Sequence, residues 1–139
     1  MISNKLHTQE YVIDVSGGDA GTGAVQLDSK AGAAPMPAGA ILKNAYVKVL
    51  TAFVGGTNLA FGNTSDQDGY IAAVATASLT LNSVHSADSA GGDLLWEDTN
   101  DHKIYHVPAD SDVFALMTGT HTAGKAVLVL EYYLPKEVA

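Results

Sequence analysis

Two long apolar runs, far apart in the chain, constrain the fold more than any other feature. The first is Pro37-Ala-Gly-Ala-Ile-Leu-Lys-Asn-Ala-Tyr-Val-Lys-Val-Leu-Thr-Ala-Phe53, and the second is Thr122-Ala-Gly-Lys-Ala-Val-Leu-Val-Leu-Glu-Tyr-Tyr-Leu134. Both are rich in Val, Leu and Tyr, which fit a pleated, half-buried surface, and neither has a Pro in its interior. They read as the two central strands of an antiparallel β-sandwich. In the first, Val47, Val49 and Phe53 share one face, while Tyr46, Lys48 and Leu50 share the other. In the second, Ala126, Leu128, Leu130 and Tyr132 occupy one face. Val127, Val129 and Tyr133 occupy the other, interrupted by Glu131. A strand that is apolar on both faces cannot leave one in water without cost. Either the chain's own loops or a partner subunit must cover the second face.

The rest of the chain reads as short strands between turns. Thr8–Val15 alternates Tyr11, Ile13 and Val15 against Glu10, Val12 and Asp14, the pattern of a half-buried strand. Ser16–Gly23 is a Gly-rich loop, and Ala24–Asp28 is a short strand. Ser29–Gly39 is rich in Ala, Gly and Pro, and Pro35 and Pro37 exclude a central strand there. A Gly55–Asn58 turn followed by Leu59–Gly62 suggests a hairpin. For Tyr70–Leu81, the Ala residues favour helix while Val74, Thr76 and Thr80 favour extended chain. The reading adopted is a helical turn or loop, then a strand over Ser78–Asn82, then a loop over Ser83–Asp93. Leu94–Glu97 and Lys103–Val107 suggest a second hairpin, and Asp112–Thr118 a further strand. Eight or nine strands at this spacing predict an all-β, antiparallel, two-sheet jelly-roll sandwich with little helix.

At 139 residues the chain is long enough for one core without staples. The expected division is an N-terminal arm over 1–10 and a single sandwich domain over 11–139. Hydrophobic residues make up 47% of the chain, which excludes general disorder, and only 7% is aromatic, so small residues must do much of the packing. With no Cys there is neither a disulfide framework nor a thiolate site. No run approaches the roughly 18 apolar residues of a spanning helix, so no membrane partner is expected. The N-terminus lacks the layout of a secretory signal, and a cytosolic product is expected. All seven basic residues are Lys, against 15 carboxylates, for a net charge of −8. Arg is the usual bidentate reader of phosphate and guanine, and the negative charge repels a polyanion, so nucleic acid is not an expected partner.

Little in the sequence carries catalytic chemistry. Glu97, Asp98, Asn100, Asp101, His102 and His106 form the best metal candidate. On an extended strand His102 and His106 point the same way, and with Asp101 they offer two imidazoles and a carboxylate. Spacing fixes no further ligand, and an acidic turn followed by exposed histidines explains the same residues, so no metal or other cofactor is expected. Asn63–Gly69 is oxygen-rich and ends in Gly, like half of a calcium loop, but Thr64 and Ala75 stand where an EF-hand needs acids. Gly18–Gly21 lacks the Lys-Ser/Thr ending of a phosphate loop. There is no Gly-x-Ser-x-Gly elbow and no thiol, and the pairs Asp66/Asp68 and Asp110/Asp112 sit in turns, so no enzyme is expected. Trp96, Tyr105, Tyr132 and Tyr133 suit either a carbohydrate-binding face or packing.

Ala38–Val49 and Thr122–Tyr133, with Asp68-Gly-Tyr-Ile-Ala-Ala between them, resemble small structural proteins of tailed bacteriophages, often of jelly-roll type and including capsid cement or decoration proteins. The resemblance spans about residues 35–134 and rests on strand patterns, so it brings no catalytic residues. It implies a virion protein made in the host cytoplasm and placed on the capsid exterior. There it would be a homotrimer bound to the major capsid protein. Tyr46, Lys48, Val127, Val129 and Tyr133 are the candidate subunit or capsid contacts. The competing expectations are a neck, tail or head-fibre component, or a carbohydrate-binding adhesion sandwich.

Overall fold

The computed structural model describes residues 5–86, 105–107 and 109–134. Nine strands follow in chain order: β1 Leu6–Asp14, β2 Gly23–Gln26, β3 Ile41–Gly55, β4 Asn58–Gly62, β5 Ile71–Ala75, β6 Val84–Ser86, β7 Tyr105–His106, β8 Phe114–Thr118 and β9 His121–Tyr133. One sheet runs β1-β9-β3-β6, with β7 also paired to β3, and the other runs β2-β8-β4-β5. Every described pairing is antiparallel. Strands β1 and β2, β3 and β4, and β8 and β9 are consecutive in sequence yet lie in opposite sheets. That repeated crossing is the jelly-roll arrangement.

The two long runs pair with one another as the middle of the first sheet, β9 lying between β1 and β3. Period-two alternation then decides what they bury. Ala45, Val47 and Val49 of β3 and Ala126, Leu128 and Leu130 of β9 are fully buried. Tyr11 and Ile13 of β1 join them, facing Leu59 and Phe61 of β4 and Ala115 and Met117 of β8 in one hydrophobic core. Tyr11 runs through this core, and its hydroxyl donates to the Ala34 carbonyl at 2.7 Å. Burial pushes its phenol well above the usual range, with the nearby Tyr70, Asp28 and Tyr132 adding in the same direction.

The Ser29–Gly39 connection has the expected irregular course and closes one side of the sandwich. Lys30 donates from Nζ to the Val12 carbonyl and forms an ion pair with Asp19. Gln9 donates to the Pro35 carbonyl at 3.3 Å. Met36 exchanges backbone hydrogen bonds with Ser111. The Lys30 bond to Val12, with the Asp14 amide donating to Asp19, occupies part of the outer backbone edge of β1, which is otherwise a site for strand addition.

Several expectations give way. Residues 6–10, read as part of an arm, form the first half of β1 and pair with β9 from Tyr133 to Val129. The Gly55–Asn58 turn makes no hairpin, because β4 leaves the sheet of β3 and pairs with β5 and β8. The extended part of Tyr70–Leu81 comes first, as β5, ahead of a helical turn at Thr76–Ser78, and no strand forms over the rest of Ser78–Asn82. A three-residue strand, β6, falls inside the segment read as a loop. Of the second expected hairpin, Leu94–Glu97 lies outside the described residues. Tyr105–His106 pairs with Leu42 and Ile41 of β3.

The crossing at Gly55–Gly56 shows why a hairpin is denied. A second crossing, Gly119–Thr120 between β8 and β9, packs directly against it. A Cβ on Gly119 would stand 2.9 Å from both the Gly56 Cα and the Thr57 nitrogen. The Thr57 amide donates to the Thr118 carbonyl at 2.8 Å. The buried His121 ring closes this corner. Its Nε2 and Nδ1 lie 3.0 Å from Thr76 Oγ1 and 3.3 Å from the Gly21 carbonyl oxygen, and it meets the Phe53 ring edge-on. Gly56 has φ +66°, and a Cβ there would fall 2.4 Å from the imidazole.

Gly56→Ala therefore combines left-handed backbone strain with overpacking and is expected to cost about 2–4 kcal/mol in urea unfolding. Gly32, at φ +81° with open space around it, isolates the backbone effect. Gly32→Ala should cost only about 1 kcal/mol. Equal losses at the two positions would contradict the close-packed corner.

Candidate interaction face

The outer face of the β1-β9-β3-β6 sheet gathers all five contact candidates. Its composition follows from register, because residues directly opposite one another project to the same side. Val12, Val127, Lys48 and Val84 form one row across four strands. Glu10, Val129, Tyr46 and Ser86 form the next. Beyond it Thr8, Glu131 and Asn44 make a polar row, and then Leu6, Tyr133 and Ile41 an apolar one. At the other end Asp14 and Lys125 are paired, 3.8 Å apart. Tyr46, Lys48, Val127, Val129 and Tyr133 thus share one continuous surface on the two central strands.

Exposure varies across this surface. Val129, in the middle and flanked by Glu10 and Tyr46, is only 7% exposed. Val84 and Leu6, towards the margins, are 57% and 43% exposed. Asn44 donates to Glu131 Oε1 at 3.4 Å, and the Lys43 ammonium lies 5.4 Å from the centre of the Tyr133 ring. Lys43 reaches this side because the β3–β9 register shifts between Leu42 and Asn44. The charges of the face are therefore Lys43, Lys48 and Lys125 against Glu10, Asp14 and Glu131.

The outer face of the other sheet is treated differently. Ala60 of β4, on its outward side, is buried all the same. The loop after β4 folds back so closely that a Cβ on Gly62 would lie 2.0 Å from the Asp66 carbonyl oxygen. Asn63 Oδ1 holds that loop by accepting the Ser65 and Asp66 amides at 3.0 and 2.9 Å. The calcium-like stretch is thus an Asx-type turn whose Asn oxygen is committed to its own backbone.

A cleft of about 210 Å³ lies between this loop and the segment before β8, lined by Asn63, Thr64, Ser65, Asp110, Ser111 and Asp112 among others. Beside it, the buried Asp28 accepts the Val113 amide at 2.9 Å. The Asp28 charge pushes the Asp112 carboxyl above the usual carboxylate range, and the hydrogen bond between the two acids adds to the shift.

The remaining sequence candidates are not brought together. Glu97 to His102 and Trp96 lie outside the described residues, while His106 is exposed on β7. Among the described residues no group of three His, Asp or Glu side chains is arranged to hold a metal ion. Tyr132 and Tyr133 point to opposite faces of β9, Tyr132 buried and stacked on His7 at 5.4 Å, so they do not share an aromatic platform. Ser16–Gly23 is the turn between β1 and β2, pinned by the Gly17 amide on Asp14 Oδ1 at 2.7 Å. What reading along the chain missed is Val12, Glu10 and Val84. The strand of Val12 and Glu10 was visible and that of Val84 was read as a loop, and a cross-strand row exists only once register is known.

The fold defined here is a jelly-roll sandwich with one sheet face left open among the described residues, and the same fold occurs in chains of phage capsid structures. One chain of the cyanophage Pam1 capsid asymmetric unit superposes with a TM-score of 0.63 at 14% identity, over 94% of this chain and 86% of that one. A chain in the acid-stable capsid of the Helicobacter pylori bacteriophage KHP30 gives a TM-score of 0.62 at 15% identity, over 100% of this chain and 99% of that one. At such identities the likeness is one of fold. No protein-family model and no curated protein matches the sequence.

The Asp28–Asp112 contact has a consequence for pH. A carboxyl whose folded pKa is raised adds stability that is fully present below its unfolded value, near 4, and is lost as pH rises through the folded value. Asp112→Asn keeps an amide donor for Asp28 and removes the repulsion. Its melting temperature should rise at pH 7 relative to the parent, and the difference should vanish near pH 3. A variant less stable than the parent at pH 7 would contradict the like-charge reading.

Proposed function

We propose that this protein is a structural component of a phage virion, a cement or decoration protein that sits on the head exterior as a homotrimer bound to the major capsid protein. The observation that supports the reading best is the fold match over essentially the whole of both chains to a component of the KHP30 capsid structure. A chain of the Pam1 capsid has the same architecture. The outer face of the first sheet supports it further, since an apolar-and-charged surface on rigid central strands suits contact with protein. The net charge of −8 keeps such a protein soluble before assembly and suits a basic or mixed partner surface.

The mechanism is stapling. A protein that binds only the assembled lattice stabilises that state by mass action, and a trimer engaging several capsid subunits at once gains from effective concentration. Nothing in this mechanism requires a cofactor or a reaction. Rupture of the shell becomes costlier because bound copies must be released first.

Copy number tests the proposal. Quantitative mass spectrometry of purified particles should find the protein in hundreds of copies per virion, as a surface lattice requires. A dozen copies or fewer would place it in the neck, tail or a fibre, and its absence from particles would remove the virion role altogether.

A further inference from the structure

We propose that the outer face of the β1-β9-β3-β6 sheet is where one copy of this chain meets another. The inference deepens the reading above by giving this face one partner, a second copy, and it rests on that reading only for the number of copies. The first support is charge. Among the described residues the face carries three Lys (43, 48 and 125) and three acids (10, 14 and 131), which balance, whereas the whole chain is at −8. Among the described residues the rest of the chain carries six carboxylates (19, 28, 66, 68, 110 and 112) against two lysines (5 and 30). Two copies brought together through that acidic remainder add acid to acid, and like charges in contact cost several kcal/mol. This face escapes that repulsion while offering both signs for complementary pairing. A strongly basic partner would gain more from the acidic remainder than from a balanced surface.

Apolar content and area give the second support. Val12, Val127, Val129, Tyr46 and Val84 lie in adjacent rows at its centre and margin. Nine residues on each of β1, β9 and β3 and the three of β6, at about 3.4 Å per residue and about 4.8 Å between strands, give a flat footprint of roughly 500 Å² before side-chain relief is added. Stable interfaces bury about 800 Å² of accessible surface per partner, which is the same scale. On the opposite sheet the loop after β4 folds over the outer side at Gly62.

Light scattering of the full chain over a dilution series tests this without capsids. The parent should assemble, and Lys48→Glu and Val84→Asp, both at exposed positions, should raise the concentration at half-dissociation by about tenfold or more. Gln67→Glu, on the loop covering the other sheet, should leave that concentration unchanged, and far-UV circular dichroism should show all four proteins folded. Because the chain has no Cys, single substitutions Val84→Cys and Gln67→Cys give a second readout. Maleimide labelling should be at least tenfold slower at position 84 than at 67 in the assembled protein, and equal on dilution to monomer. A parent that is monomeric throughout overturns the proposal. So does an assembly indifferent to both face substitutions, with equal labelling at the two positions. Binding to phage heads is a separate assay, so a protein that assembles through this face but ignores heads sinks the virion role alone.

Discussion

Pairing between β3 and β9 is the contact on which the rest of the structure depends. It runs from Ile41 opposite Tyr133 to Gly55 opposite His121, joining segments that are more than sixty residues apart in the chain. Strand β1 adds to the free side of β9, and β6 and β7 add to the free side of β3. Each of those additions needs the central ladder in place. Closing so long a loop costs entropy before any contact rewards it, so a topology of this kind folds slowly for its size. Register in the ladder is a harder problem than pairing. A slip of one residue turns every side chain to the other face, yet β9 is apolar on both faces, so hydrophobic pattern alone discriminates weakly. The discriminating residues are the exceptions in the run. Gly124 lies where any Cβ would strike the Phe53 ring, at 2.3 Å. Lys125 and Glu131 find partners only on the outer side, in Asp14 and Asn44.

This explains how much of the fold the sequence discloses. The two long strands, the alternation of Tyr11 and Ile13 in β1 and the two-sheet class are properties of local pattern, and they are legible residue by residue. What fails depends on distant residues. Gly55-Gly-Thr-Asn has the composition of a hairpin turn, but the second glycine turn at Gly119 and the His121 ring occupy the space beside it and send the chain to the other sheet. The Ala-rich stretch after Tyr70 has no strong preference of its own. Its strand exists because β4 offers an edge, with Ile71 opposite Phe61 and Val74 opposite Leu59. The candidate face was half legible for the same reason. Alternation places Tyr46, Lys48, Val127 and Val129 on outward sides, but only register brings Val12, Glu10 and Val84 beside them.

The two sheets solve the same problem in opposite ways. Each needs apolar residues inward, and each also has apolar or small residues outward. On the β2-β8-β4-β5 sheet the chain supplies its own cover. Gly62 admits the backbone of the following loop at a distance that no side chain would allow, and Asn63 ties the loop down. Part of the edge of β1 is likewise closed from within, by Lys30 reaching back from the long connection.

The outer side of the first sheet is where the demands of the fold and the composition of the sequence part. Folding requires the inward set, Ala45, Val47, Leu128 and their neighbours, and it requires glycine at the corner. It places no such demand on Val127 or Tyr133, since Thr or another polar β-former pairs as well at an outward position. Likeness to other jelly rolls at 14–15% identity makes the same point, because the fold tolerates almost any outward residue that suits a strand. An apolar outward row on the two longest strands therefore needs a cause other than the fold. So does the clustering of three of the seven lysines on that one side, neutralising it within an acidic protein. The proposed contact with a second copy accounts for both. A surface that is to be buried against a like-charged copy must lose its net charge and keep its hydrocarbon, and the central strands are the stiffest place in this fold to build it.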